Sequence, residues 1–260
     1  EIGVRLVGSE MCIRDRRKAD AIEIVVGQGA KPGGGGMLLG LKVGKRVAEM
    51  RTIPEGIDKR SASRQPDWTG PDDLTIKILE LREITDWKLP IYVKIGATRV
   101  KDDVKLAVKS GADVGVIDGM QGVTAATQET FIEHTGIPTL PAIRLAVDAL
   151  QEIDMYGKVQ LILSGGIRTG ADVAKALALG ADAVSLGQAV LMALGCNSPH
   201  YVIENDNVDV TSEYHTLGTT PGYCHHCHTG RCPVGVTTQL PDLEKRMHPE
   251  WGLSLIHISE

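Results

Sequence analysis

The chain has 260 residues, 42% hydrophobic and 23% charged, with a net charge of −5. That is ordinary globular composition, long enough to bury a large core. It excludes an overall basic field of the kind that grips nucleic acid or an anionic membrane, and no apolar run approaches the roughly 18 residues of a membrane span. Only 3% of residues are aromatic while 30 are glycine, so the core must be built from Val, Ile, Leu and Ala between glycine turns. Parallel α/β architecture has that make-up. Cysteine is the most pointed count: of five, three crowd between Cys224 and Cys232.

The two ends read as foreign to the fold. Glu10-Met-Cys-Ile-Arg-Asp-Arg16 can be encoded by DNA whose reverse complement translates as Leu253-Ser-Leu-Ile-His-Ile-Ser259. One inverted DNA element, of the kind used as a sequencing adapter, therefore accounts for residues 1–16 and 253–260. Cys12 and His257 are set aside with them. The expected organisation is a partial barrel over 17–195, a cysteine segment over 196–240 and a continuation over 241–252.

From the start of the remaining chain, Ile22-Glu-Ile-Val-Val26 is a β-branched run stopped by Gly27, which predicts a strand. Lys31-Pro-Gly-Gly-Gly-Gly36 must be loop. Residues 42–50 suit a short helix, and 52–70, rich in Pro, Gly and Ser, a long excursion. Pro71-Asp-Asp opens a helix, with Pro at its first position and acids at its positive end. Strands are then predicted at 91–95, 113–117, 159–163 and 182–186, each followed by a helix, at about 102–110, 141–154, 171–179 and 188–195. Twice a helix ends in Gly-Ala-Asp, at 111–113 and 180–182, where Gly supplies a left-handed stop. Repeated βα units with near-continuous apolar strands predict a parallel sheet. Five strands are visible, and three more before residue 17 would complete a closed (β/α)8 barrel. A doubly wound open sheet is the alternative.

Two segments carry chemistry. Ser164-Gly-Gly-Ile-Arg-Thr-Gly170 and Leu186-Gly-Gln-Ala189 each follow a strand and precede a helix. Paired late βα turns of this kind form phosphate sites from backbone N–H groups at helix N-termini. Ser164, Gly165, Gly166, Arg168, Gly187 and Gln188 are the candidates; tight turns that merely need glycine are the plainer reading. Cys224-His-His-Cys-His-Thr-Gly-Arg-Cys232 is the denser signal. Cys224-x-x-Cys-His228 fits c-type haem attachment. The same residues with Cys196 fit zinc. Cys196, Cys224, Cys227 and Cys232 together supply the thiolates of an iron–sulfur cluster, which the spacing ranks first.

Ile24-Val-Val-Gly-Gln-Gly-Ala-Lys-Pro-Gly33, Ser164-Gly-Gly-Ile-Arg-Thr-Gly170, Ala193-Leu-Gly-Cys196 and Cys232-Pro-Val-Gly-Val-Thr-Thr-Gln239 resemble, in order, successive motifs of the FMN-binding domain of glutamate synthase. The resemblance implies a TIM barrel, here N-terminally truncated, with FMN at its C-terminal face and a C-terminal cysteine-rich iron–sulfur segment. It implies a cytoplasmic oxidoreductase in which 2-oxoglutarate and ammonia give 2-iminoglutarate, which hydride from FMN reduces to L-glutamate. Carried over by position, Lys94 lies beside the flavin, where a fixed cation stabilises the anionic reduced ring. Gln28 and Lys31 face flavin and substrate, and Arg51 grips a substrate carboxylate. Asp118-Gly-Met-Gln-Gly-Val-Thr124 passes over the ring edge, bringing Gly119, Gln121, Gly122 and Thr124 to the cofactor. The electron donor implied is ferredoxin or a reductase subunit, and the ammonia is free or released from glutamine by an amidotransferase partner.

The sequence also departs from that pattern. About thirty residues separate Cys196 from Cys227, and Cys224 is additional. This spacing resembles the shorter archaeal-type glutamate synthases and leaves a three-iron (3Fe–4S) and a four-iron (4Fe–4S) cluster both open. Gly34 replaces a frequent Glu, and Val123 a loop Gly. Rival readings are an N-methylglutamate synthase-like enzyme fed by methylamine and a metal-binding barrel without catalysis. A barrel of the inosine-monophosphate dehydrogenase type lacks its nucleophilic cysteine here.

Overall fold

The computed structural model describes residues 19–60, 62, 65, 69–122, 128–204, 206–250 and 252–253. The two end segments assigned to an inserted element lie outside these, apart from Leu253, and so do Val123 and Thr124. In chain order the elements are β1 (Ile22–Val25), β2 (Met37–Leu38), α1 (Lys45–Arg51), β3 (Lys59–Arg60), α2 (Pro71–Ile84) and β4 (Ile91–Gly96). There follow α3 (Val100–Lys109), β5 (Val114–Asp118), α4 (Glu129–His134), α5 (Thr139–Glu152), β6 (Gln160–Ser164), α6 (Gly170–Ala178) and β7 (Ala183–Ser185). The last are α7 (Gln188–Ala193), β8 (His200–Ile203), β9 (Asp206–Asp209), α8 (Thr211–Thr216) and α9 (Pro241–Glu244). Among the described residues no helix is long and apolar enough to cross a membrane. The chain divides into two compact units. One takes in the described residues up to Gly35, then 62–122 and 128–185; the other those of 36–60 and 186–253.

In the first unit β1, β4, β5, β6 and β7 form one parallel sheet, in that order. Spatial order follows chain order throughout. A doubly wound sheet reverses its order at a switch point, so the described strands do not follow that alternative. Sequential winding is what a barrel needs, yet five strands do not close one. The expectation of a (β/α)8 barrel therefore stands as an α/β fold with a sequentially wound parallel sheet.

The two faces of this sheet differ because side chains alternate along each strand. Ile22, Ile91, Val93, Ile95, Ile117, Leu161 and Leu163 are buried in one core. The helices cover that face: α2 packs on α3, and α3 on α5. Ala142, Ile143, Ala146, Val147 and Leu150 recur at helical spacing along α5 and are fully buried. The opposite face carries Tyr92, Lys94, Val116, Asp118, Ser164 and Ser185, and pairing aligns Gly96, Asp118, Ser164 and Ser185 in one row at the strand C-termini. Within this unit the polar row thus lies on the face opposite the helices, at the C-terminal ends of the strands.

The repeated Gly-Ala-Asp has two jobs. Gly111 and Gly180 sit at φ +106° and +109°, the left-handed stop foreseen from sequence. Each aspartate then ties its strand to the preceding one: Asp113 Oδ2 accepts the Ile91 N–H at 2.7 Å, and Asp182 Oδ2 that of Leu161 at 2.7 Å. Arg82 fixes the first of these carboxylates with two contacts of 3.0 Å and reaches the Gly111 carbonyl at 2.7 Å.

In the second unit, β2 and β3 pair antiparallel, as do β8 and β9. Residues 52–70, expected to be one open excursion, thus contain a strand. A small core of Val210, Tyr214 and Val234 gathers Tyr201, Cys224 and Cys232 around it. The residues after the cysteines belong to this unit as well. Arg246 donates to the Pro233 carbonyl at 2.8 Å, pairs with Glu213 and lies 5.0 Å over the Tyr201 ring.

Two expectations follow. Asp113→Ala should lower unfolding free energy by about 1–3 kcal/mol, the cost of a stranded buried N–H, while Asp113→Asn recovers part of it; urea denaturation of both variants checks this. Hydrogen bonds from Lys101 and then Lys105 hold the Glu152 carboxyl at about 2 instead of 4.5. A depressed carboxylate stabilises the fold fully above its unfolded value and ceases to do so as pH falls through the folded one. Glu152→Gln should therefore flatten the decline in melting temperature between about pH 5 and pH 2; an unchanged slope refutes the assignment.

Candidate functional site

The polar row of the first unit is organised by one carboxylate. Asp118, the last residue of β5, is 3% exposed. Its Oδ2 accepts the N–H of Gly29 at 2.8 Å and forms an ion pair with Lys94 Nζ at 3.8 Å. Lys94 stands on the neighbouring strand, two residues lower in register and on the same face. Its side chain is 18% exposed. This explains a lysine inside an otherwise apolar strand: alternation turns it from the helix side toward Asp118.

Backbone contact at Asp118 is too close for side chains. A Cβ on Gly29 would fall 1.8 Å from the Gly119 carbonyl oxygen, and one on Gly122 would fall 2.2 Å from Asp118 Oδ1. The loop Gly27–Lys31 and the loop Asp118–Gly122 are therefore pressed together, with a further bond of 3.4 Å from the Ala30 N–H to the Gly122 carbonyl. Lys31 is 7% exposed beside them, in a turn closed by its own N–H to the Gln28 carbonyl at 3.1 Å. Gln121 is partly committed: its Oε1 accepts from the backbone and hydroxyl of Thr139 at 2.9 and 2.7 Å, serving the first turn of α5. Gln28, Lys31, Lys94, Gly119, Gln121 and Gly122 thus belong to one packed set of loops and strand ends.

Ser164 follows on the same row, 8% exposed, and passes its carbonyl to the Gly119 N–H at 2.9 Å. Gly165 and Gly166 take φ of +98° and +72°. Beyond them the backbone N–H groups of Arg168 and Thr169 point at Asp172 Oδ2, 3.2 and 3.1 Å away, in a capping box that opens α6. These bonds hold the Asp172 carboxyl below the ordinary carboxylate range. The helix thus supplies its own anion at that end. Arg168 is exposed. Gly187 and Gln188 belong to the second unit. Arg51 is also in that unit, exposed in the last turn of α1.

The second unit gathers the four cysteines, all half-buried and none in a disulfide. Burial and then the neighbouring Cys227 push the Cys196 thiol up to about 11, with Gln188 opposing. Burial likewise raises Cys224 and Cys227, each with Cys232 adding to it. Tyr214 is pushed up by burial and by the sulfurs of Cys224, Cys232 and Cys196. The four sulfurs are thus within electrostatic reach of one another. Burial thus disfavours the thiolate form of Cys196, Cys224 and Cys227. Among the described residues no group of three or more His, Cys, Asp or Glu side chains is spaced to hold a single metal ion. Four cysteine thiols are, by their chemistry, the donors an iron–sulfur cluster takes.

Two residues without a role in the sequence reading organise this nest. Asn197, at φ +62°, accepts the N–H groups of Gly222 and Cys224 at 3.1 and 2.9 Å, bringing the long insertion back to Cys196. Lys42 Nζ donates to the Cys227 carbonyl at 2.8 Å. Burial lowers the Lys42 ammonium, and the Cys227 and Cys232 thiols oppose that. Asp118 was legible only as part of a loop motif. An Asn directly after a ligand-type Cys is a weak local signal, and Lys42 gives none.

Comparison with known proteins agrees with the motifs. Residues 13–205 and 206–256 match the family described as the conserved region in glutamate synthase. A glutamate synthase large subunit-like protein of Rhizobium meliloti (strain 1021) is 64% identical over 236 residues, covering 91% of this chain and 51% of its own. An archaeal glutamate synthase (NADPH) of Methanocaldococcus jannaschii is 41% identical over 236 residues, covering 90% of this chain and 41% of its own. Among solved structures, a mutant flavocytochrome b2 with pyruvate bound aligns over 72% of this chain and 41% of its own, with TM-score 0.47 and 22% identity, too distant to argue from. The chain spans about half the length, or less, of the curated relatives it matches. Since the match runs through both the Lys94–Asp118 loops and the cysteine nest, the chain belongs to the glutamate synthase family.

Proposed function

We propose that this chain forms the FMN- and iron–sulfur-bearing part of an oxidoreductase that makes L-glutamate from 2-oxoglutarate and ammonia. The observation that carries the reading is Lys94, a largely buried cation steadied by Asp118 at the C-terminal end of the sheet, where open α/β sheets and barrels place their ligands. An ammonium has three N–H donors, and a single carboxylate at 3.8 Å leaves it able to meet a second anionic partner. FMN, when bound, supplies the hydride.

The residues assigned to FMN are Lys94, Gly119, Gln121, Gly122, Thr124, Ser164, Gly165, Gly166, Arg168, Gly187 and Gln188. In this reading the Ser164–Gly166 turn takes the phosphate, and Lys94 stabilises added negative charge through a fixed dipole-free cation. Gln28, Lys31 and Arg51 take the substrate. The planar guanidinium of Arg51 suits a carboxylate. Ammonia condenses with the ketone of 2-oxoglutarate and water leaves, giving 2-iminoglutarate; a hydride and a proton complete glutamate. Each turnover consumes two electrons, which Cys196, Cys224, Cys227 and Cys232 bring in by holding a cluster that faces a ferredoxin or a reductase subunit. An amidotransferase partner delivers the ammonia.

Full-length protein tests this. Lys94→Ala should lower kcat by about 10²–10³-fold, the range seen when one electrostatic donor is removed, with iron content and folding intact; unchanged turnover refutes its role. Cys227→Ser should lose iron while the far-ultraviolet circular dichroism spectrum stays that of the wild type; full retention removes it as a ligand. Assays should give glutamate from ammonia. Product from methylamine alone would instead assign N-methylglutamate synthesis.

A further inference from the structure

Two side-chain carboxamides end on the same sulfur. Gln188, the first residue of α7, directs Nε2 to Cys196 Sγ at 3.8 Å. Asn197 directs Nδ2 to it at 3.7 Å. The acceptor Cys196 and the donor Asn197 are both held in place. The turn from α7 is closed by the Cys196 N–H to the Leu191 carbonyl at 3.0 Å. Asn197 is pinned by its own oxygen, which accepts from Gly222 and Cys224, and by its left-handed backbone at φ +62°.

We infer that Gln188 and Asn197 are positioning residues that set the reduction potential of the iron–sulfur cluster through paired N–H···S bonds to Cys196. The inference rests on the cluster reading above and moves the Gln188 side chain from the phosphate turn to a sulfur. Reduction adds an electron whose charge is shared with the ligand sulfurs. An N–H dipole aimed at a sulfur favours the more negative, reduced form, so each bond raises the potential. Cys196 is half-buried, and a hydrogen bond is electrostatically stronger there than in water. Replacing either carboxamide by a carboxylate removes the donor and sets negative charge against the thiolate.

The test uses full-length, anaerobically purified protein and follows cluster reduction by electron paramagnetic resonance against applied potential. Gln188→Leu, Gln188→Glu and Asn197→Asp are compared with wild type. Asn197→Asp keeps the oxygen that binds Gly222 and Cys224, so the loop retains its anchor. Each variant should keep its iron and show a roughly two- to tenfold lower ratio of reduced to oxidised cluster at fixed potential, the span of one hydrogen bond. Combining Gln188→Leu with Asn197→Asp should lower it further. Full iron with an unshifted ratio in all variants overturns the inference and leaves the cluster standing. Iron absent from the wild type overturns the cluster reading and this inference with it. Should Asn197→Asp shed iron, Gln188→Leu decides, and an unshifted ratio there overturns the inference.

Discussion

The first unit depends on a carboxylate that is out of water. An ionised side chain in that position is costly unless opposite charge and hydrogen bonds replace its hydration. Asp118 finds both, in the Gly29 N–H and the Lys94 ammonium. These partners come from two other segments, one a glycine loop after β1 and the other the adjacent strand β4. A single buried charge therefore draws three segments of the chain together. The absence of Cβ atoms at Gly29 and Gly122 follows from the same requirement, since the loops must close over the carboxylate.

The second unit solves a different problem with weaker forces. Four half-buried thiols come from segments up to thirty-six positions apart. Their neighbourhood has a small apolar core, so positioning falls to individual polar clamps. Asn197 joins Cys196 to the Cys224 loop, Lys42 holds the Cys227 carbonyl, and Arg246 holds Pro233. Burial, with neighbouring sulfurs adding to it, pushes the Cys196 and Cys227 thiols up.

The two aspartates of the Gly-Ala-Asp repeat show how local and tertiary information combine. The glycine stop and the strand that follows could be read from the chain alone. That Asp113 and Asp182 each lock the register of the preceding strand could not, because their partners, Ile91 and Leu161, lie twenty-two and twenty-one positions away. Repetition in the sequence was the visible trace of a contact between strands.

What the sequence determined by itself was periodic or compositional. Strands at 22–25, 91–96, 114–118, 160–164 and 183–185 fall within a residue or so of their predicted places, because β-branched runs between glycine stops leave the backbone little choice. The crowding of cysteines, the glycine turns and the family motifs were likewise legible. Only the tertiary structure decided that strand order runs without reversal, that Lys94 turns to Asp118, that Asp172 fills the N-terminus of α6, and that Gln188 and Asn197 both face Cys196. Each of these is a matter of which side chain meets which across distant segments. Burial forces such charges and amides to find partners, but nothing local names the partner.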